Sequence, residues 1–150
     1  MSNKVIKEIL FSKKNNIEKC NILCVGDIIL DHYIYGRVER MSPEAPIPIL
    51  LFENENYQLG GVGNVARNLS SLGAKSSLIS FMGDDLSSKK IQKLISKEKN
   101  IKQTKVKLFG YETPTKTRYI NNLLHLIRVD KENTSLKMNN TFKKNLLLIL

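Results

Sequence analysis

The sequence predicts an α/β protein: a doubly wound, mostly parallel sheet with a smaller antiparallel layer attached. Three observations carry this expectation. Two short runs, the continuous apolar Ile22-Leu23-Cys24-Val25 and the mainly apolar Ser77 to Met82, each close on glycine and aspartate, at Gly26-Asp27 and Gly83-Asp84-Asp85. A short apolar run without alternation reads as a strand buried on both faces, as in a parallel sheet. Helical periodicity follows the glycines at 60–63 and appears again after Asp85, so strand and helix alternate through the middle of the chain. The extended segments around 33–52 and 106–129 contain no helical pattern, which assigns them to the antiparallel layer.

Taken in order, Val5 to Phe11 has apolar positions at helical spacing and reads as a short helix. The strand at 22–25 follows. Tyr33 to Arg37 and Ile47 to Phe52 read as two further strands. Between them, Ser42-Pro43-Glu44-Ala45-Pro46-Ile47-Pro48 holds three of the four prolines, which belong at an edge or crossing because proline donates no ladder hydrogen bond. Asn64 to Leu72 reads as a helix with Val65, Leu69 and Leu72 on its inner face, stopped by Gly73. Ser77 to Met82 is the next strand, and Ser87 to Glu98 an amphipathic helix with Ile91, Leu94 and Ile95 inward. Val106 to Leu108, Thr115 to Ile120 and Leu124 to Val129 read as strands, and Asn140 to Leu150 begins as a helix.

Composition narrows the function. The 150 residues carry 24 basic and 14 acidic side chains, a formal charge of +10. The lysines are scattered and no aromatic residues interleave with them, so a base-stacking nucleic-acid platform is not expected. No apolar run approaches the roughly 20 residues of a membrane span. The stretch Ile9-Leu10-Phe11 ends at Lys13-Lys14, too short for a signal-peptide core, and the expected compartment is the cytoplasm, without membrane attachment. Cys20 and Cys24, four apart on a strand, stand about 13 Å from one another and read as free buried thiols. They miss the C-x-x-C spacing, and no metal site is expected. His32 and His125 lack partners at ligand or triad spacing and read as surface or loop residues.

Three segments carry chemistry. Asp27 and Asp31 follow the first strand, at the edge where ligands of open α/β sheets bind, and their carboxylates can accept hydrogen bonds from sugar hydroxyls. Capping of the following turn is the alternative use of an aspartate in such a loop. Gly60-Gly61-Val62-Gly63-Asn64 lets backbone approach a ligand in front of a helix N-terminus, or forms a tight turn with an Asn cap. Gly61-x-Gly63-x-x-Ala66 also fits a dinucleotide-binding fingerprint, but the preceding Glu53-Asn54-Glu55-Asn56-Tyr57-Gln58 is polar and does not read as the buried strand that fingerprint needs. A dinucleotide-dependent oxidoreductase is therefore the weaker reading. In Thr115-Lys116-Thr117-Arg118, alternation puts Lys116 and Arg118 on one face, as a phosphate clamp or a solvated strand face.

Together these segments resemble the ribokinase-like (PfkB-type) carbohydrate kinases, and within them the D-glycero-β-D-manno-heptose-7-phosphate kinases. The resemblance is carried by Val25-Gly26-Asp27 with Leu30-Asp31-His32-Tyr33, by Arg40-Met41-Ser42-Pro43-Glu44-Ala45-Pro46-Ile47-Pro48, by Leu59 to Leu69, and by Thr115 to Arg118 with Leu126-Ile127-Arg128-Val129-Asp130. It implies a lid over a sugar site, with Asp31 accepting sugar hydroxyls. Gly60, Gly61 and Asn64 would line the pocket, and Lys116 and Arg118 would approach the substrate phosphate. It also implies ATP and Mg²⁺ as co-substrate and cofactor, γ-phosphoryl transfer to the anomeric hydroxyl, and a homodimer clasped through the lid strands. Residues 1–150 are then the N-terminal part of a single kinase domain. The family's base lies in a Gly-Ala-Gly-Asp segment that this sequence lacks, and Leu124-His125 stands where these kinases carry glutamines. The chain is accordingly expected to be incomplete, inactive, and a poor binder of ATP and Mg²⁺. A non-catalytic sugar-phosphate-binding or assembly module is the alternative.

Overall fold

The computed structural model describes residues 12, 16–108 and 110–132. The helices expected at 5–11 and 140–150 lie outside these residues. In chain order the elements are β1 (Asn21–Val25), β2 (Ile28–Met41), β3 (Pro48–Gly61), α1 (Val62–Ser71), β4 (Lys75–Met82), α2 (Leu86–Ile95), β5 (Ile101–Lys107), β6 (Thr115–Asn121) and β7 (Leu124–Lys131).

The main sheet has the order β1-β4-β5, and both of its pairings are parallel. Its centre is β4, where Ser76, Leu78, Ile79, Ser80 and Met82 are buried. The apolar core joins Cys24, Leu78, Met82 and Ile101 of this sheet to Ala66 of α1, to Ile91 and Ile95 of α2, and to Ile28, Leu30 and Leu59 at the root of the second sheet. Each helix is fixed locally. Gly73, at φ +94°, ends α1 in a conformation other residues adopt only with strain. Asp85 caps α2, accepting from the Ser88 amide while the Ser88 hydroxyl pairs back with the cap residue.

The second sheet, the lid, has the order β3-β2-β6-β7. β2 and β3 are a 14-residue antiparallel pair with register shifts at Tyr35/Gly36 and Val38/Arg40. The proline-rich segment is the tip of that hairpin, closed by the Ser42 amide donating to the Ile47 carbonyl at 2.8 Å. Pro48 opens β3 on the sheet's edge, where a missing donor costs nothing.

Several expectations are corrected here. The lid is mixed, because β2 and β6 run parallel. Residues 106 and 107 belong to β5 of the main sheet, so the lid's second portion starts at Thr115. Among the described residues β1 is an edge strand, and Leu23 and Val25 on its outer face are 54% and 49% exposed; an apolar run reports hydrophobicity but not how many faces are covered. In α1 the buried residues are Gly63 and Ala66, whereas Val65 and Leu72 are exposed. Small residues face inward because the helix packs close to Ile28 and Leu59, whose atoms lie about 3.1–3.2 Å from where a Gly63 Cβ would stand. The polar stretch 53–58 is strand after all, inside β3. Cys24 is buried and burial raises its thiol pKa, but Cys20 is exposed, its thiol donating to the Asn16 carbonyl.

Candidate functional site

Asp31 lies within β2, not in the loop expected from the sequence. The loop is shorter, Gly26-Asp27, because the chain turns at once into the lid hairpin and Ile28 and Leu30 anchor it in the core. Strand alternation then sends Asp31 and Tyr33 to one face of the lid and Leu30 and His32 to the other.

On the Asp31 face, β6 brings Lys116 opposite Asp31 and Arg118 opposite Tyr33. The Arg118 guanidinium donates to the Asp31 carboxylate at 2.7 Å and lies 5.0 Å over the Tyr33 ring. Burial works against the Arg118 charge, but the hydrogen bond and charge of Asp31 outweigh it and hold the guanidinium above its ordinary pKa. Lys116 donates to Asp130 of β7 at 2.8 Å, and Arg128 reaches the other Asp130 oxygen at 2.9 Å. Lys116 foremost, with Arg128 assisting against a smaller burial effect, lowers the Asp130 pKa. The two cations expected as a free phosphate clamp are thus each matched to a carboxylate. The cluster is a charged network of Asp31, Arg118, Lys116, Asp130 and Arg128, in which a phosphate must compete with Asp130 and a sugar hydroxyl with Arg118.

The glycines are placed by contact and by dihedral. Gly60 sits opposite Ile29, and a Cβ there would lie 2.5 Å from an Asp31 carboxylate oxygen. That carboxylate therefore lies against the Gly60 backbone. Gly61 has φ +56° and caps α1, where a Cβ would collide with the Asp27 carbonyl. The same carbonyl accepts the Val62 amide at 3.0 Å, tying the first loop to the helix start. Gly60 and Gly61 are thus the end of β3 and not a separate turn. Asn64 stands in the first turn of α1, its side-chain carbonyl accepting from Arg67 at 3.1 Å. The structure brings Asp31, Gly60, Lys116 and Arg118 to one surface, and holds Asn64 on the adjoining helix without a hydrogen bond to Asp31.

Two contributors escaped the sequence reading. Asp85 accepts the Thr113 amide at 2.7 Å as well as capping α2, and the Thr113 hydroxyl accepts from Gly83. These bonds pin the approach to β6, and with it Lys116 and Arg118, to the end of β4. The spacing Asp85-x-x-Ser88 was the available signal. On the lid's other face, His32 contacts Glu55 at 2.7 Å and stacks on Tyr57 at 4.3 Å, and Tyr57 donates to Glu55 at 2.9 Å. The loop or surface assignment for His32 is therefore replaced by a partnered strand position with a side chain only 16% exposed.

Among the described residues no three Asp, Glu, His or Cys side chains converge as a divalent cation requires. Asp85 is spent on its two backbone amides. Among the described residues the carboxylates do not fit a Mg²⁺ site. No helix among them is long and apolar enough to cross a membrane.

A parallel α/β sheet carrying a β lid, with an acidic and basic cluster at the lid's root, is the architecture of a ribokinase-like carbohydrate kinase. The chain belongs to the pfkB family of carbohydrate kinases, whose family model matches residues 19–140. It is 44% identical over 114 residues to the bifunctional protein HldE of Paramagnetospirillum magneticum, covering 76% of this chain and 23% of that relative. It thus spans about a quarter of the length of the curated relatives it matches. Among solved structures, a putative sugar kinase from Clostridium perfringens superposes with a TM-score of 0.63 at 18% identity, covering 87% of this chain and 40% of that one. A fructokinase with bound ATP from Xylella fastidiosa gives 0.51 at 19% identity, covering 74% and 32%. These likenesses establish the fold. The dinucleotide fingerprint is explained by it: the strand before Gly61 is antiparallel and belongs to the lid, not to a βαβ unit.

Proposed function

We propose that this chain is the sugar-binding and lid portion of an ATP-dependent kinase. Its substrate is D-glycero-β-D-manno-heptose 7-phosphate, converted to the 1,7-bisphosphate for ADP-heptose and lipopolysaccharide-core synthesis. The observation that carries the reading is the Asp31 carboxylate laid against Gly60 and gripped by Arg118. A polyol needs an acceptor beside open backbone, and a phosphate needs nearby cations, here Arg118 and Lys116. Gly61 and Asn64 extend the same edge. The resemblance of Ser42-Pro43-Glu44-Ala45-Pro46-Ile47-Pro48 to the heptose-phosphate kinases favours a heptose over other sugars.

A second reading is a non-catalytic module that binds a sugar phosphate without turning it over. Both readings share the sugar subsite. Isothermal titration of the chain with heptose 7-phosphate and with ribose tests it. Saturable heat with the heptose phosphate, weaker or absent with ribose, supports the subsite; no heat with either sugar refutes it.

The homodimer implied by the family resemblance is part of the same proposal. A groove of about 460 Å³ lined by Ile47, Pro48, Leu50, Tyr119, Leu126, Ile127 and Val129 runs along the lid. Ile47 and Ile127 are 57% and 59% exposed, an apolar surface that a second lid would cover.

A further inference from the structure

A second polar cleft lies on the side of the lid away from Asp31. It occupies about 380 Å³ between β3 and α2, lined by Glu55, Asn56, Tyr57, Lys90, Lys93, Leu94 and Lys97. Lys90 and Lys93 share one face of α2, three residues apart, and Lys97 follows in the turn that ends the helix. Lys90 is held 3.6 Å over the Tyr57 ring, whose opposite face is taken by His32. Among the described residues Lys93 and Lys97 have no carboxylate partner. Glu55 is the only acid lining the cleft, and it is already engaged by His32 and by the Tyr57 hydroxyl. Those two hydrogen bonds foremost, with a smaller contribution from Lys90, hold the Glu55 carboxyl below the usual range, so it remains an ionised acceptor at neutral pH. The cleft therefore presents three ammonium groups and, across from them, a fixed carboxylate. With both faces of Tyr57 covered, it offers no open ring for stacking a base.

We propose that this cleft binds a small phosphorylated polyol, with its phosphate on Lys90, Lys93 and Lys97 and a hydroxyl on Glu55. The site is separate from the Asp31 cluster, because His32 and Asp31 are consecutive strand residues and face opposite ways. A ligand there bridges the lid to α2.

The test is an NMR titration of the full chain at fixed ionic strength, with inorganic phosphate and with glycerol 3-phosphate as probes. Saturable shifts centred on Glu55–Tyr57 and Lys90–Lys97 are expected. The paired change K93E/K97E should weaken both probes about tenfold, a difference of ~1.4 kcal/mol. The charge-matched pair K75E/K102E, at the starts of β4 and β5 and outside the cleft's lining, should leave affinity within about twofold. Glu55→Gln should weaken glycerol 3-phosphate but not phosphate. Non-saturating shifts, or equal losses from the two lysine pairs, overturn the proposal in favour of diffuse charge attraction. Unequal losses with no effect of Glu55→Gln overturn the polyol assignment.

Discussion

Arg118 of β6 and Asp31 of β2 meet at 2.7 Å with both side chains only 17% exposed, across two parallel strands that are joined nowhere near one another in sequence. This pair ties the lid's two halves together at the point where the sugar is expected. Cutting one side leaves a half-buried charge. Asp31→Ala should therefore lower stability by about 1.5–3 kcal/mol, the range for a hydrogen bond to a charged group, as read by urea unfolding. Arg118→Lys should recover only part of the loss, since an ammonium lacks the guanidinium's planar fork. A cost near zero for Asp31→Ala would mean the pair is solvated and unimportant.

Gly61 should tolerate no side chain. Its φ of +56° and the Asp27 carbonyl in the Cβ direction combine conformational strain with a backbone collision. Gly61→Val should cost at least ~2 kcal/mol and lower the melting temperature by several degrees. Gly26→Ala is the control, because its added Cβ would meet only Val62 at ordinary contact distance, 3.5 Å.

Acid should loosen the joint between α2 and the lid. Burial alone would raise the Asp85 pKa, but hydrogen bonds from the Thr113 and Ser88 amides outweigh it and the net shift is downward. A carboxyl lowered on folding contributes stability that is full above its unfolded value, about pH 4, and is lost as pH falls through the lower folded value. Melting temperature should fall below about pH 4, and Asp85→Asn should be less stable at pH 7 with a flatter acid limb. Parallel acid limbs in the two proteins would show that Asp85 is not the group titrating.

The lid groove should mediate self-association. Ile127→Lys places a charge in the exposed apolar surface and should shift the chain from dimer to monomer in sedimentation, without changing its circular dichroism. A wild-type chain that is monomeric at high micromolar concentration removes the dimer from the account.

Much of the fold was legible because periodicity reports chemistry that the main sheet uses directly: the apolar 77–82 run became the buried centre, and Ile91 and Ile95 turned inward as spaced. The lid was harder to read. Its strands lie partly in water, so 53–58 carries polar residues on both faces and does not look like a strand. Its parallel β2–β6 pairing depends on a partner more than 80 residues away in sequence, for example Asp31 and Lys116. At the site, residue types pointed correctly to where charge gathers, but pairing was not visible: nothing in the spacing of Asp31, Lys116, Arg118 and Asp130 says which cation meets which acid. His32 was missed for the same reason, since Glu55 and Tyr57 reach it only across the hairpin.

The central claim is that the Asp31 face of the lid binds a sugar phosphate. It is tested most directly by NMR titration of the chain with heptose 7-phosphate, in the wild type and in Asp31→Ala. Saturable shifts at Ile29–Tyr33, Gln58–Gly61 and Lys116–Arg118, lost in the variant while its fold is retained, are predicted. Shifts confined to the cleft between β3 and α2, or unchanged by Asp31→Ala, would contradict it.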